Sequence, residues 1–173
     1  MGILQETIKE ALRMILSLDA RLLEIAWVSV KVSVSALAIS SIAAVPLGLA
    51  LAAFDFRAKK AVLTLLNALM SVPTVVIGLV FYFLLSRSGP LGPAGFLYTP
   101  WAMVIGQAAL SFPIIAAVAA NSIDDRHGRI RDTAYTLGAS RLQYMTALAQ
   151  ESKNVRMSAV ITAFGRIFSE IGV

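Results

Sequence analysis

The chain has 173 residues, 58% of them apolar and 14% charged, and its mean hydropathy is +0.78. Soluble domains carry roughly 25% charged residues, and disordered chains are poor in apolar ones, so both classes are excluded. With no cysteine and one histidine, a disulfide framework, a thiolate metal site, a cysteine nucleophile and a multi-histidine site within one chain are excluded as well.

In chain order, residues 1–20 come first. Ile3, Leu4, Ile8, Ala11, Leu12, Ile15 and Leu16 recur at helical spacing, with Gln5, Glu6, Lys9, Glu10 and Arg13 between them. This pattern predicts an amphipathic helix lying on a membrane surface. It lacks the unbroken apolar stretch and the small-residue cleavage site of a signal peptide. Residues 32–54, 61–86 and 88–123 then carry no charge at all. A helix crosses a bilayer with about 20 apolar residues, so these runs predict membrane spans at about 25–54, 61–86 and 101–123. The third begins late because Gly89, Pro90, Gly92, Pro93, Gly95 and Pro100 cannot continue a helix. A shorter apolar segment, 158–173, contains Arg166 and Glu170 and reads as part of a helix that this chain does not complete. Buried helices of a soluble core would alternate polar and apolar faces, which these runs do not. The expected fold is all-α: one polytopic transmembrane helix bundle over residues 1–173.

Basic residues set the expected orientation. Arg57, Lys59, Lys60, Arg126, Arg129, Arg131, Arg141, Lys153 and Arg156 fall on one side, and Lys9, Arg13, Arg21, Lys31 and Arg87 on the other. The positive-inside rule places the first group in the cytoplasm and the N-terminus outside.

The cytoplasmic connection 124–157 is too long for a simple turn. Ile130, Ala134 and Leu137, then Leu142, Met145 and Leu148, recur at helical spacing on either side of Gly138. Two short helices meeting at a glycine are expected. Their apolar stripe needs a groove to cover it, which favours a docking element over a solvated basic loop.

Asp132-Thr133-Ala134, then three residues and Gly138, resembles the EAA---G motif of ABC-importer permeases. Asp132 stands for the family's Glu and Thr133 for its first Ala, and the family's downstream proline is missing where Glu151 stands. Two further stretches narrow the resemblance. LLSRSGPLG (84–92) is similar to permeases of tungstate importers, near relatives of molybdate permeases. AFGRIFSEIG (163–172) resembles the Arg-x-x-x-Glu-x-Gly stretch of molybdate, sulfate and tungstate permeases. The resemblance implies a bundle of the type I importer (MetI-like) kind, in the inner membrane, with tungstate as cargo and molybdate, sulfate or phosphate as alternatives. It implies a second permease copy, cytoplasmic ABC ATPase subunits, an extracytoplasmic oxyanion-binding protein and lipid as partners, and no nucleic acid. Asp132, Thr133, Ala134, Gly138, Ala139, Ser140 and Leu142 would form the ATPase-coupling loop. A small channel or scaffold without an ATPase is the reading from a different class.

The chain has no G-x-x-x-x-G-K-[ST], so ATP and its magnesium would be held by the partner ATPase, with no cofactor and no catalytic residue here. His127 reads as a solvated loop residue, and Asp124 with Asp125 as a solvated helix end. Inside the spans, Pro46, Pro73 and Pro113 each remove a helical hydrogen bond. Ser71, Thr74, Gln107 and Ser111 lie near them. With Pro73 and Pro113 they are candidates to line the translocation path of a dimer; the alternative is that they bond their own helix or neighbouring ones. Small residues, Gly48, Ala50, Ala52, Gly78 and Gly106, are expected to let helices approach closely. Arg166 and Glu170, one helical turn apart, are either part of the anion path or an internal packing pair.

Overall fold

The computed structural model describes residue 6 and residues 20–170. The amphipathic helix expected over 1–20 lies outside the described residues, as do the side chains of Asp124, Asp125 and His127. The described part is helical: α1 (Ala20–Ala53), α2 (Lys59–Met70), α3 (Thr74–Leu85), a 3-10 turn (Gly92–Ala94), α4 (Pro100–Thr136), α5 (Arg141–Glu151) and α6 (Lys153–Glu170).

Helices α1 and α4 form the central pair. α1 buries a stripe at helical spacing, Ser33, Ala36, Leu37, Ser40, Ala44, Gly48, Leu51 and Ala52. It meets Ile115, Ala116, Ala119 and Ala120 of α4, all essentially inaccessible. Ala159, Ala163 and Ile167 of α6, spaced by one turn each, complete this core. The close approach is possible because small residues face each other. A methyl group on Gly48 would stand 2.8 Å from the Ala119 Cβ and 3.0 Å from the Ala116 carbonyl oxygen. Gly78 and Gly106 behave differently: a Cβ at either would meet nothing within 4 Å, so they leave space rather than bring helices together. Gly48→Ala is therefore expected to cost about 1–3 kcal/mol by overpacking and to lower the thermal midpoint of the purified permease. Gly78→Ala serves as the control that leaves it unchanged; equal midpoints would mean that α1 and α4 do not approach this closely.

The apolar run 61–86, expected as one span, departs from a straight helix. It is split at Ser71–Pro73 into α2 and α3, which lie at 97° to each other. The cause is local. Pro73 has no N–H to donate and sits at φ −59°, ψ 135°, and the residue before a proline is driven out of the helical region. Each half has 12 residues, about 18 Å, short of the ~30 Å hydrocarbon core. Among the described residues, two helices are long and apolar enough to cross alone, Ala20–Ala53 and Pro100–Ser122. Pro46 and Pro113 lie inside uninterrupted helices, so of the three prolines only Pro73 breaks its run.

The connection 124–157 also differs from two short helices in a loop. Its first part is the continuation of α4, which runs unbroken over 37 residues, about 55 Å. Only α5 is a separate short helix.

Candidate functional site: the Gly138 bend and the cavity at Gln107

The bend between α4 and α5 is built from two helix-end motifs placed back to back. Gly138 has φ +75°, the left-handed conformation that glycine adopts without penalty. Its N–H donates to the Tyr135 carbonyl at 3.0 Å, and the Ala139 N–H donates to the Ala134 carbonyl at 2.9 Å. This is the Schellman arrangement, which satisfies carbonyls that the ending helix leaves free. Ser140 then caps α5. Its hydroxyl accepts from the Gln143 N–H at 3.4 Å while the Gln143 side chain accepts from the Ser140 N–H at 2.7 Å. Such a reciprocal box fixes the first turn of a helix. The Ser-x-x-Gln spacing was a sequence signal for it beside the glycine.

The apolar stripe divides at this bend. Ile130, Ala134, Met145 and Leu148 pack with Tyr144 against Leu49, Ala52 and Ala53 at the end of α1. Leu137 and Leu142 point away, 81% and 76% exposed. The outward face thus presents large apolar side chains beside Asp132 and Thr133, both exposed. Burial holds the Tyr144 phenol above its ordinary value, and nearby Tyr135 adds to this, so Tyr144 stays neutral under the bend. Sequence reasoning missed the link to the α1–α2 turn. The Arg141 guanidinium lies 5.0 Å from the centre of the Phe54 ring. Asp55 lies 3.3 Å from Lys59 and 3.6 Å from Arg131. Asp55 and Lys59 are four residues apart, but no spacing rule connects Phe54 with Arg141 or Asp55 with Arg131. At the other end of α5, the position without the family's proline is turned by Ser152. Its hydroxyl donates to the Leu148 carbonyl at 2.6 Å, and Arg156 donates to the Ala149 carbonyl.

The second feature is a cavity of about 500 Å³ between α3, α4 and the end of α6. Thr74, Tyr82, Gln107 and Glu170 bring polar groups to an otherwise apolar wall that includes Gly78 and Gly106. The Thr74 hydroxyl donates to Glu170 Oε2 at 3.0 Å, and Arg166 Nε stands 3.5 Å from Glu170 Oε1. Glu170 therefore ties α6 to the first residue of α3, directly after the 97° bend. Gln107 Oε1 is buried without a hydrogen-bond partner among the described residues. Arg166 lines a small crevice on the other side of Thr74 and Glu170, with Ile114 and Ile167.

Not all candidate path residues join this cavity. Ser111 is fully buried and its hydroxyl donates to the Ala108 carbonyl of its own helix at 3.2 Å. Pro113 is buried in α4, and Ser71 and Pro73 form the bend rather than the wall. Burial keeps Ser111 and Pro113 out of the cavity wall, which their polarity or ring chemistry alone did not reveal.

The described part thus combines two membrane-length helices, a broken apolar run, a doubly capped helix bend and a mostly apolar cavity with Thr74, Gln107 and Glu170 in its wall. Residues 44–173 match the family of binding-protein-dependent transport system inner membrane components. The chain belongs to this family. It is 38% identical over 172 residues to the tungstate uptake system permease protein TupB of Peptoclostridium acidaminophilum, covering 99% of this chain and 75% of that protein. It is 34% identical over 151 residues to a probable anion ABC transporter permease protein of Haloferax volcanii, covering 87% of this chain and 65% of that one. Against the tungstate uptake permease TupB of Campylobacter jejuni it is 33% identical over 120 residues, covering 69% of this chain and 50% of the relative.

Proposed function

We propose that this chain is the membrane-spanning permease subunit of an ATP-driven importer for a tetrahedral oxyanion, with tungstate as its cargo. The observation that carries the mechanism is the continuity of α4. One helix holds Gln107 in the cavity wall and ends at the Gly138 bend, so a displacement of the bend is carried along one continuous helix to a point about 43 Å away. The relatives' names supply the cargo.

In this reading two copies form the path, and two ATPase subunits dock on the outward faces of the bends. ATP and magnesium are bound by those subunits, and an extracytoplasmic binding protein delivers the anion. Closure of the ATPases moves the bends, and α4 and α6 re-tilt around the cavity. The permease itself makes and breaks no bonds. It lowers the barrier to the anion and passes it on, since a tight site would not release it. The direct test is ATP-driven tungstate uptake into proteoliposomes holding permease, ATPase and binding protein. Uptake of no oxyanion by that complex would refute the reading.

The orientation has its own test. With nine basic residues in the cytoplasm, reporters fused after Lys60 or within 124–150 are expected to report cytoplasm, and a reporter at Gly92 the outside. The opposite pattern would remove the coupling role of the Gly138 bend together with the topology.

A further inference from the structure

Next to the cavity between α3, α4 and α6 lies a second pocket, of about 520 Å³, built from the end of α3 and the loop that follows. Tyr82, Ser86, Arg87, Ser88 and Tyr98 supply its polar groups, and it shares Tyr82, Leu85 and Leu97 with the first cavity. The loop is held in place by contacts that only glycine permits. A Cβ on Gly89 would stand 2.2 Å from the Phe83 carbonyl oxygen, and one on Gly92 would stand 2.4 Å from that of Ser86. The Leu91 N–H donates to the Leu84 carbonyl at 3.0 Å, so the SRSGPLG turn lies back on the last turn of α3.

Arg87 is the only charged residue between Lys60 and Asp124, and among the described residues no carboxylate pairs with it. Tyr98 has φ +63° and is, among the described residues, the one non-glycine residue with positive φ. A bulky side chain is rarely held there, and such strain collects where a site needs a side chain in one place. The Tyr82 and Tyr98 phenols both line the pocket, and each carries an O–H that can donate. The Ser86 hydroxyl is spent on the Phe83 carbonyl at 2.8 Å. The pocket therefore offers a forked guanidinium, the Ser88 hydroxyl and a tyrosine O–H. That donor set suits a ligand with several acceptor oxygens and negative charge.

We propose that this pocket is the receiving site of the permease: it takes a tetrahedral oxyanion of the tungstate class at the extracytoplasmic face and hands it past Tyr82 to the cavity holding Gln107 and Thr74. The proposal rests on the orientation and cargo given under Proposed function. Arg87 is exposed, so the site binds weakly and releases readily, as a relay must.

The test uses the permease–ATPase complex in nanodiscs with sodium tungstate as the probe and no binding protein, read by calorimetry. Wild type is expected to bind, and Arg87→Ala to bind about ten- to hundredfold more weakly, the range for losing a charge-assisted hydrogen bond. Arg87→Lys is expected to recover part of the affinity, since it keeps the charge without the fork. Assembly with the ATPase controls for folding. In proteoliposomes with saturating binding protein, Arg87→Ala is expected to slow uptake while the half-saturating concentration of binding protein stays unchanged. Wild-type uptake by Arg87→Ala overturns the proposal, as does equal tungstate binding by the two proteins. A variant that only needs more binding protein also overturns it, because Arg87 would then be a contact for that protein. A wild-type complex that imports no tungstate is a different result: it removes the cargo reading, and this proposal falls with it.

Discussion

Replacing Gly138 with valine is expected to cut ATP-driven uptake at least about tenfold while the permease still inserts in the membrane. Gly138 sits at φ +75° with nothing within 4 Å of the position a Cβ would take. Space is therefore not the obstacle; the backbone angle is. A side chain in the left-handed region costs about 1–2 kcal/mol, and a β-branched one is a genuine outlier there. About 1.4 kcal/mol is a factor of ten. The loss falls on the two hydrogen bonds that stop α4, from Gly138 to Tyr135 and from Ala139 to Ala134, and through them on the direction in which Ser140 launches α5. Because the penalty is conformational, Gly138→Asn should restore much of the activity, since asparagine visits this region. Uptake in proteoliposomes and co-purification of the ATPase measure the effect. Wild-type values for Gly138→Val in both would mean that the segment 126–150 is a solvated loop and not the coupling element.

Gly138 was legible because the sequence carries both parts of its reason: apolar periodicity on each side and a residue that tolerates positive φ. The long spans were legible for a similar reason, since the absence of charge over more than twenty residues has few physical readings. What stayed hidden needed contacts between distant parts of the chain. Pro73 and Pro113 look alike in sequence, yet Pro113 stays inside a continuous α4 and Pro73 turns its run through 97°. The difference is tertiary support: α4 is packed by α1 and α6, whereas α2 and α3 bury one residue each, Leu66 and Leu85. Thr74, Gln107 and Ser111 were equal candidates, and only packing separates the two that reach the cavity from the one bonded to its own helix. Arg87 was noticed as a charge in a loop, but its pocket depends on Tyr98, whose backbone angle no composition rule predicts.

Arg166→Ala is expected to abolish oxyanion uptake while binding-protein affinity stays unchanged. The motive is position. Arg166 and Glu170 share one turn of α6, and Glu170 reaches across to Thr74 at the start of α3, where the broken span meets the cavity. A guanidinium beside that junction can attract an anion to the path, and Glu170 can hold it in place. The single variant is ambiguous by itself. It leaves the Glu170 carboxylate with Thr74 as its remaining partner among the described residues, so lost uptake by this variant has a structural reading as well. Arg166→Leu combined with Glu170→Leu removes both charges at once. Replacing such a pair with apolar residues is often neutral or stabilising, and the remaining defect is one Thr74 hydroxyl without its acceptor, worth about 1 kcal/mol. The double variant should therefore assemble with the ATPase as wild type does. If the pair belongs to the path, it assembles and does not transport. If it imports oxyanion at the wild-type rate, the pair is a packing device, and the path must rely on Gln107 and the groups beside it.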